Sequence, residues 1–489
     1  MTLPIRPFLV ACGGTLVAIL VSFALHRLPV AQAIAAFVIA AAAAGGYRRS
    51  FATGTAVVLA ELAAGSLGRS FVLPWGGVSV RMLLFAVAVA ATAAYVIRNK
   101  NSLRALITTP VRIAFGLVAS TVGWGIVRGI AVQPLGDVVA DANAYVYLLL
   151  APTFLIALRD ERDRRMLLSV LLGAATAVAV QTLAIFFLAT RGFIPTTAHP
   201  LYKWIRDAGF GELTPGASGF ARVFFQSHLW SAATVLLAPG LYVLARAAKK
   251  ERRVVEISAV LSSAVLFISL SRSFWLSTAG AAAVGLVLVV LRRNLRPGAA
   301  TFIVSLAVFT ALGVAVPYAL SRSVGSAVSG RVTAVAGEPA ADSRMNLLRV
   351  MWPAVLEHPV LGSGFGKALT YETRDPRLLA YFPDGQYTTS AFEWGWLDFW
   401  LKMGVLGPIA FATLVVVVLM TCWRALSGAE PWVALGLLLA VLMVSAAHVL
   451  SPWLNHPLGI GLMLFALGIV LPEIKRTPKD ESRGVLTQA

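Results

Sequence analysis

The sequence predicts an all-α polytopic integral membrane protein with about 12–14 transmembrane helices. Hydrophobic residues make up 58% of the 489 residues and charged residues only 13%, whereas a soluble domain has about 25% charged residues. Many apolar runs approach the roughly 20 residues that a helix needs to cross about 30 Å of hydrocarbon. Because lipid offers the backbone no hydrogen-bonding partners, such runs cross the membrane as helices.

The order of apolar runs and basic clusters predicts the orientation. The apolar runs are 8–26, 29–46, 51–73, 78–97, 111–130, 138–158, 166–190, 228–248, 254–271, 274–291, 299–320, 392–422, 431–450 and 453–472. Basic clusters follow the even-numbered runs, for example at 48–49, 98–104, 159–165 and 249–253. They therefore share one side, which the positive-inside bias identifies as the cytoplasm. We expect a multi-pass membrane protein with both termini in the cytoplasm.

The remaining composition excludes several classes of partner. The net charge of +19 comes from 41 basic and 22 acidic residues, and in a membrane protein such an excess sets orientation. We therefore expect a lipid bilayer and no nucleic acid as a partner. Cys12 and Cys422 lie in apolar runs, so no disulfide framework is expected. The spacing of His, Cys, Asp and Glu predicts no metal, and no glycine motif predicts a nucleotide or other cofactor.

The chain is expected to divide into five segments. They are N-terminal membrane helices at 1–190, helices with arginine-bearing outer segments at 191–320, a large outer loop at 321–391, C-terminal membrane helices at 392–472 and a cytoplasmic tail at 473–489. Within the loop, residues 342–358 place apolar side chains at helical spacing, and Pro359 should end that helix. We expect an amphipathic helix on the membrane surface, followed by flexible backbone in "LGSGFG" at 361–366.

Three motifs contain the candidate functional residues, and all three are predicted to lie on the outer side of the membrane. "GFARVFFQSHLW" at 219–230 contains Arg222, and "SLSRSFWL" at 269–276 contains Arg272, the only charge in residues 261–291. An arginine within hydrocarbon costs at least about 2.5–3.5 kcal/mol, so it usually has a partner or a function. The third motif, "SRMNLLRVMWPAVLEHPVLGSGFG" at 343–366, precedes "FEWGWLDFWLKMGVLG" at 392–407.

In order and spacing, these motifs resemble the O-antigen ligase and polymerase superfamily over roughly residues 215–410. The resemblance implies a membrane glycosyltransferase that joins a glycan linked to a lipid diphosphate to an acceptor at the outer, periplasmic face of the bacterial inner membrane. The outer loop at 321–391 would then be periplasmic. Arg222 and Arg272 match two arginines that are essential in the family. Arginine binds phosphate oxygens bidentately, and such binding also stabilises a departing diphosphate. On the same resemblance, Arg344, Arg349, His358, Glu372 and Trp394 are expected to bind substrate.

The sequence departs from the ligase pattern at one position. Eleven residues before Gly404, where family ligases carry a catalytic histidine followed by asparagine, this chain has Glu393 and Trp394. A partly desolvated carboxylate can act as the general base instead; the alternative is an interface carboxylate paired with an arginine. Other candidates for the base are His358, Glu372, Asp384 and His456. Asp398 and Lys402, four residues apart, are expected to form an ordinary helix ion pair.

The resulting hypothesis is an inverting, metal-independent glycosyltransferase that acts as an O-antigen, capsule or exopolysaccharide polymerase. Its expected partners are a polyprenyl-diphosphate-linked glycan donor, a glycan or lipid-linked acceptor, and polysaccharide flippase and chain-length proteins. Alternatives of the same class are a ligase onto lipid A core, a protein O-glycosyltransferase and a peptidoglycan polymerase. A polysaccharide-lipid transporter or flippase is the alternative from another class; it predicts charges in the middle of the spans and broken helices.

Overall fold

The computed structural model describes residues 3–99, 107–195, 197–215, 219–245, 248–333, 339–374, 376–379 and 381–475. It confirms the all-α membrane class. Ten helical stretches in these residues are long and apolar enough to cross a membrane. Three further apolar helices are shorter. Together with Lys249–Ile268, which begins with a charged turn, these helices correspond one to one to the fourteen apolar runs. Of the tail predicted at 473–489, residues 473–475 continue the last helix, and the rest lies outside the described residues.

The first half of the chain is a series of antiparallel helices. They are α1 (Ile5–Ala24), α2 (Pro29–Arg49), α3 (Phe51–Ala64), α4 (Val80–Arg98), α5 (Thr109–Val132), α6 (Leu135–Ala157, with a 3₁₀ stretch in its middle), α7 (Glu161–Thr190) and the short α8 (Pro200–Asp207). Strands β1 (Gly211–Pro215) and β2 (Ala221–Phe225) then form an antiparallel hairpin. The sequence analysis did not anticipate this hairpin, which carries Arg222.

The second half contains the helices that hold the candidate motifs. They are α9 (His228–Leu244), α10 (Lys249–Ile268), α11 (Arg272–Leu291), α12 (Arg296–Leu320), α13 (Val324–Thr333), α14 (Pro339–Glu357), α15 (Pro376–Leu379), α16 (Gly395–Met403), α17 (Leu406–Ala425), α18 (Pro431–Ala447) and α19 (Pro457–Lys475). A second hairpin, β3 (Leu369–Glu372) and β4 (Gln386–Thr389), lies between α14 and α16. Helices α7, α9, α18 and α19 are largely buried and form the centre of the bundle.

The two ends of the bundle differ in charge and structure. Arg48, Arg98, Lys249 and Arg424 stand at helix termini of one end, which is named the basic end. The opposite end carries α8, both hairpins and α13–α16, and is named the site end. This arrangement follows the predicted alternation of the apolar runs. Every motif singled out in the sequence lies at the site end.

The predicted span 392–422 is wrong as a single membrane helix. It breaks into α16 and α17 at Gly404, whose φ of 72° is in the left-handed region that favours glycine. A Cβ at Gly404 would lie 1.9 Å from the carbonyl oxygen of Val360. The expected flexibility of "LGSGFG" is also wrong, because Gly362 packs against Gly404 and Gly364 packs against Gly129 of α5. The segment therefore lies wedged between α5 and the break.

Helix α14 confirms the helix predicted at 342–358 and shows two apolar faces. Leu347, Met351 and Val355 are buried against β3 and α16. Met345, Trp352 and Leu356 are exposed. An exposed apolar stripe on a helix next to a membrane bundle is typical of a helix that lies in the interface.

Candidate functional site: an arginine cluster at the site end

The site is built around the turn between α10 and α11. Leu270 in this turn has a φ of 48°, a left-handed conformation that costs a non-glycine residue about 1–3 kcal/mol. The turn presents two successive carbonyl groups to two arginines. Arg222 Nε donates a hydrogen bond to the Ser269 carbonyl at 2.8 Å, and Arg331 Nε donates to the Leu270 carbonyl at 3.1 Å. The strained turn thus brings β2 and α13 together.

Arg222 owes its position to the pleat of β2. Its neighbours Ala221 and Val223 are buried in the apolar core of the hairpin, and the alternation leaves Arg222 half-buried on the opposite face. Arg222 also forms an ion pair with Glu212 of β1 at 3.6 Å. Its guanidinium lies 5.3 Å from the centre of the Phe224 ring. The strand pairing therefore fixes where this positive charge stands.

Arg272 is the first residue of α11, at the end of the same turn, and its side chain contacts α13. Its Nε and a terminal guanidinium nitrogen donate to the Arg331 carbonyl at 3.2 Å and 2.7 Å. Arg331 donates in turn to the Leu270 carbonyl, two residues before Arg272, so side-chain hydrogen bonds in both directions join α13 to this turn. Arg222 and Arg272, which the sequence motifs singled out, therefore both contact the 269–272 turn or its partner α13.

Arg331 is a member of this cluster that the sequence analysis did not single out. Burial lowers the pKa of its guanidinium to about 10, and three neighbouring positive charges add to the effect: Arg222, Arg272 and Arg344. Arg331 remains charged at neutral pH, so the site concentrates four like charges. Like charges at close range repel one another, and a polyanion bound among them would relieve that repulsion. No motif marks Arg331, whose proximity depends on how α13 folds back onto the 269–272 turn.

Arg344 and Glu393 form an ion pair beside the cluster. Arg344 Nε of α14 contacts a carboxylate oxygen of Glu393, and the indole nitrogen of Trp394 donates to the Arg344 carbonyl at 3.0 Å. The Glu393 side chain is 51% exposed and that of Arg344 is 35% exposed. In this conformation Glu393 therefore has the ion pair that was expected as the alternative, and it lacks the burial expected of a general base.

The other sequence candidates lie along α14 and β3. Arg349 is exposed and contacts the Asn346 side chain at 3.3 Å. Glu372 is exposed and lies 3.8 Å from Arg374. His358 is exposed just after α14. No contact recorded among the described residues joins Arg349 or His358 to the four arginines, so the structure does not bring these two into the cluster.

The two remaining candidates for the base make local contacts. Asp384 accepts a hydrogen bond from the Gln386 backbone at 3.1 Å. His456 precedes α19 and accepts from the Leu458 backbone at 3.3 Å. Each contact stabilises the turn in which the residue lies. Neither residue has a recorded contact with Arg344 or Glu393 in the described part of the chain.

Asp398 and Lys402 do form the expected i, i+4 pair, but it is not an ordinary surface pair. The Lys402 ammonium lies 2.7 Å from Asp398 and 2.5 Å from Asp141 of α6, and the three side chains are 2%, 0% and 9% exposed. Asn455 donates to the second oxygen of Asp398 at 2.7 Å. This buried charge network joins α6, α16 and the segment before α19. Its burial could not be read from the sequence, because Asp141 is 257 positions from Asp398.

The buried charge network also fastens the loop that carries Glu393. Asp141 accepts a hydrogen bond from the Gly366 backbone at 2.9 Å, and Lys402 donates to the Ser390 carbonyl at 2.9 Å. Gly366 and Ser390 bound the segment that contains the second hairpin. Since Ser390 is three residues before Glu393, the network positions the entry of that carboxylate into the site.

The site offers anion-binding groups more readily than cation ligands. Among the residues that the structure describes, no group of three or more His, Cys, Asp or Glu could hold a metal ion. The acidic side chains near the cluster, Glu212 and Glu393, are each paired with an arginine. Four guanidinium groups together fit a ligand with several negative oxygens, such as a diphosphate.

Comparison with known proteins identifies the region that holds most of this site. Residues 257–412 match a family model described as O-antigen ligase. The match includes Arg272, Arg331, Arg344 and Glu393, and Arg222 lies outside it. No curated protein matches the chain. The chain is therefore a polytopic membrane protein whose residues 257–412 match the O-antigen ligase family, and this match supports the resemblance to the O-antigen ligase and polymerase superfamily.

Proposed function

We propose that the protein is an inverting, metal-independent glycosyltransferase that uses a polyprenyl-diphosphate-linked glycan as donor and a sugar hydroxyl as acceptor. The observation that carries the proposal is that Arg222, Arg272 and Arg331 are held together by hydrogen bonds around the 269–272 turn, which lies in the region that matches the O-antigen ligase family. The basic end faces the cytoplasm under the positive-inside rule. The site end then faces the periplasm, where such donors are used.

The reaction joins an acceptor oxygen to the anomeric carbon of the donor. The acceptor hydroxyl attacks from the face opposite the diphosphate, and the bond between the anomeric carbon and the phosphate oxygen breaks with its electron pair going to the diphosphate. The hydroxyl proton passes to a base. Arg222, Arg272 and Arg331 stabilise the negative charge that develops on the leaving diphosphate. Their fixed backbone contacts keep the guanidinium groups in place before the donor arrives.

Arg344 links donor binding to the base. In this structure it holds Glu393 in an ion pair, and a bound diphosphate would offer Arg344 a second anionic partner. Transfer of Arg344 to the diphosphate would release the carboxylate to accept the acceptor proton. The donor glycan, by covering the site, would also reduce the exposure of Glu393. This exchange reconciles the ion pair with a catalytic role as general base.

Polymerase activity is the preferred form of this function, and ligation is the second candidate. Polymerisation is favoured by Glu393 and Trp394, which stand in place of the ligase His-Asn pair. Ligation onto lipid A core is favoured by the family that the model describes. The two differ only in the acceptor, which is a second lipid-linked glycan in one case and a lipid A core in the other.

The experiment uses the purified full-length protein in lipid nanodiscs with a synthetic polyprenyl-diphosphate-linked repeat unit. Addition of a second lipid-linked unit as acceptor should give chains longer than one repeat on a gel. Addition of lipid A core instead should give no conjugate. Conjugate without chain extension would establish the ligase and contradict the polymerase. Neither product, with donor still bound by wild type but not by Arg272→Gln, would contradict both.

A further inference from the structure

A cavity lies away from the arginine cluster, among the N-terminal helices. It is a groove of about 750 Å³ between α1, α2 and α3, within the range of about 300–1,000 Å³ that ligand pockets occupy. Helix α1 packs on α7, while α2 packs on α3 and α4, which leaves the groove between α1 and α2. The residues that give it depth are small: Ala11, Gly14 and Ala18 of α1, Ala42 of α2, and Ala56 and Ala60 of α3.

The surroundings of the groove indicate that a hydrocarbon chain fills it. Helices α1 and α2 both have the length and hydropathy of membrane spans, and Val10, Val17, Ile34 and Phe37 beside the groove are exposed. In a membrane such side chains face lipid. From Arg6 to Ile19 the α1 wall is about 20 Å long at 1.5 Å per residue, which is two thirds of a hydrocarbon core of about 30 Å.

The two ends of the groove differ in the charge of the residues that line them. Arg6 lines it at the basic end, where α1 begins without a side-chain cap and without an acidic residue in its first turn. No carboxylate among the described residues is recorded as a partner of Arg6. Glu61 lines the opposite end of the groove, in an ion pair with Arg81 at 3.0 Å. The Glu251 carboxylate of α10 accepts a hydrogen bond from the Leu3 backbone at 2.9 Å, but neither residue lines the groove. Within the groove an anionic group is therefore favoured at Arg6, where the helix dipole is also positive, and disfavoured at Glu61.

We propose that this groove binds an anionic phospholipid from the leaflet at the basic end of the bundle. Its phosphate lies at Arg6 and the first turn of α1, and one acyl chain runs along α1 toward Ile19. Basic pockets between membrane helices on the cytoplasmic side bind anionic head groups in this way. The lipid joins α1 to α2 through the groove. The proposal does not depend on the glycosyltransferase function.

Two glycines of α1 provide a matched pair of variants. A Cβ added at Gly13 or at Gly14 would meet no atom within 4 Å, so neither substitution creates a backbone clash. Gly14 lines the groove and Gly13 does not. Gly14→Leu should fill the groove, whereas Gly13→Leu places the same side chain on the lipid-facing surface. Arg6→Gln removes the head-group contact, and Arg98→Gln at the end of α4 is its control.

The assay is thermal unfolding of the purified full-length protein in detergent, titrated with dioleoyl phosphatidylglycerol or with dioleoyl phosphatidylcholine. We expect phosphatidylglycerol to raise the Tm of wild type, Gly13→Leu and Arg98→Gln, and phosphatidylcholine to do so far less. Gly14→Leu should lose the shift. Arg6→Gln should need about fivefold more phosphatidylglycerol than wild type to reach half of the full Tm shift. This is the factor expected for the loss of one basic residue at a membrane surface.

Three results would overturn the proposal. Equal Tm shifts with phosphatidylglycerol and phosphatidylcholine would show that the anionic head group does not contribute to binding. An undiminished shift in Gly14→Leu would place the lipid elsewhere. A shift produced by polyprenyl phosphate but not by phosphatidylglycerol, and lost in Gly14→Leu, would assign the groove to a substrate lipid instead.

Discussion

Removal of the ammonium group from the buried charge network is the sharpest test of how the loop is held. Lys402→Met keeps the length of the side chain and leaves Asp141 and Asp398 facing each other, both at least nine-tenths buried. Removing one partner from a buried ion pair costs about 3–5 kcal/mol, because the remaining charge is uncompensated. Two carboxylates share this loss, so we expect a value at the upper end of that range.

Asp398→Asn is the informative counterpart. It leaves Lys402 with Asp141 at 2.5 Å, and an asparagine oxygen can still accept from Asn455, so the cost should stay below about 1.5 kcal/mol. Glu256→Gln, which breaks the exposed Arg252–Glu256 pair of α10, is the surface control and should cost about 0–1 kcal/mol.

Unfolding in denaturant measures the stability of each variant, and chain extension measures its activity. Lys402→Met should be the least stable of the three and should lose activity, since Ser390 loses its anchor. If Asp398→Asn and Lys402→Met destabilise the protein equally, the ammonium does not hold both carboxylates. The loop must then be positioned by the packing of its glycines alone.

The remaining predictions concern the arginine cluster and the base. Arg331→Lys and Arg272→Lys should both weaken donor binding, because lysine lacks the planar fork. If calorimetry shows that Arg331→Lys binds lipid diphosphate as tightly as wild type, Arg331 is not part of the site. Glu393→Gln should lower chain extension by about 10²–10⁴-fold, the usual value of general-base assistance, while donor binding persists. Activity within a few-fold of wild type would make Glu393 structural. Chain extension should survive EDTA, and a loss that magnesium restores would show that a metal takes part.

The fold was predictable because its signal is local. Each apolar run can be recognised from one continuous stretch of sequence, and such a stretch forms a helix in lipid because only its own backbone groups can be hydrogen-bonding partners there. The break at Gly404 was not predictable in this way, since residues 392–422 are apolar throughout except for three charges. What breaks the helix is the close approach of Val360, a contact between segments that are more than forty residues apart.

The site was predictable only as far as its motifs reach. Arg222 and Arg272 stand in recognisable patterns, whereas Arg331 lies among small residues in α13 without one. Its place in the cluster depends on hydrogen bonds between arginine side chains and backbone carbonyls: Arg331 donates to Leu270, and Arg272 donates to Arg331. Every residue has a backbone carbonyl, so the types of the residues do not show which carbonyl accepts a hydrogen bond.

The same contacts explain why arginines can be held together before any anion binds. Four like charges would separate if only their side chains met. Here Arg222 and Arg331 donate to the Ser269 and Leu270 carbonyls, Arg272 donates to the Arg331 carbonyl, and Glu393 holds Arg344. Three of these acceptors are neutral and stay in place when a diphosphate arrives. The fourth is a carboxylate that competes with the diphosphate for its arginine. Glu212, which pairs with Arg222 at 3.6 Å, is a second such carboxylate. Donor binding is therefore expected to disturb the Arg344–Glu393 and Arg222–Glu212 pairs first and to leave Arg222, Arg272 and Arg331 on their carbonyl acceptors.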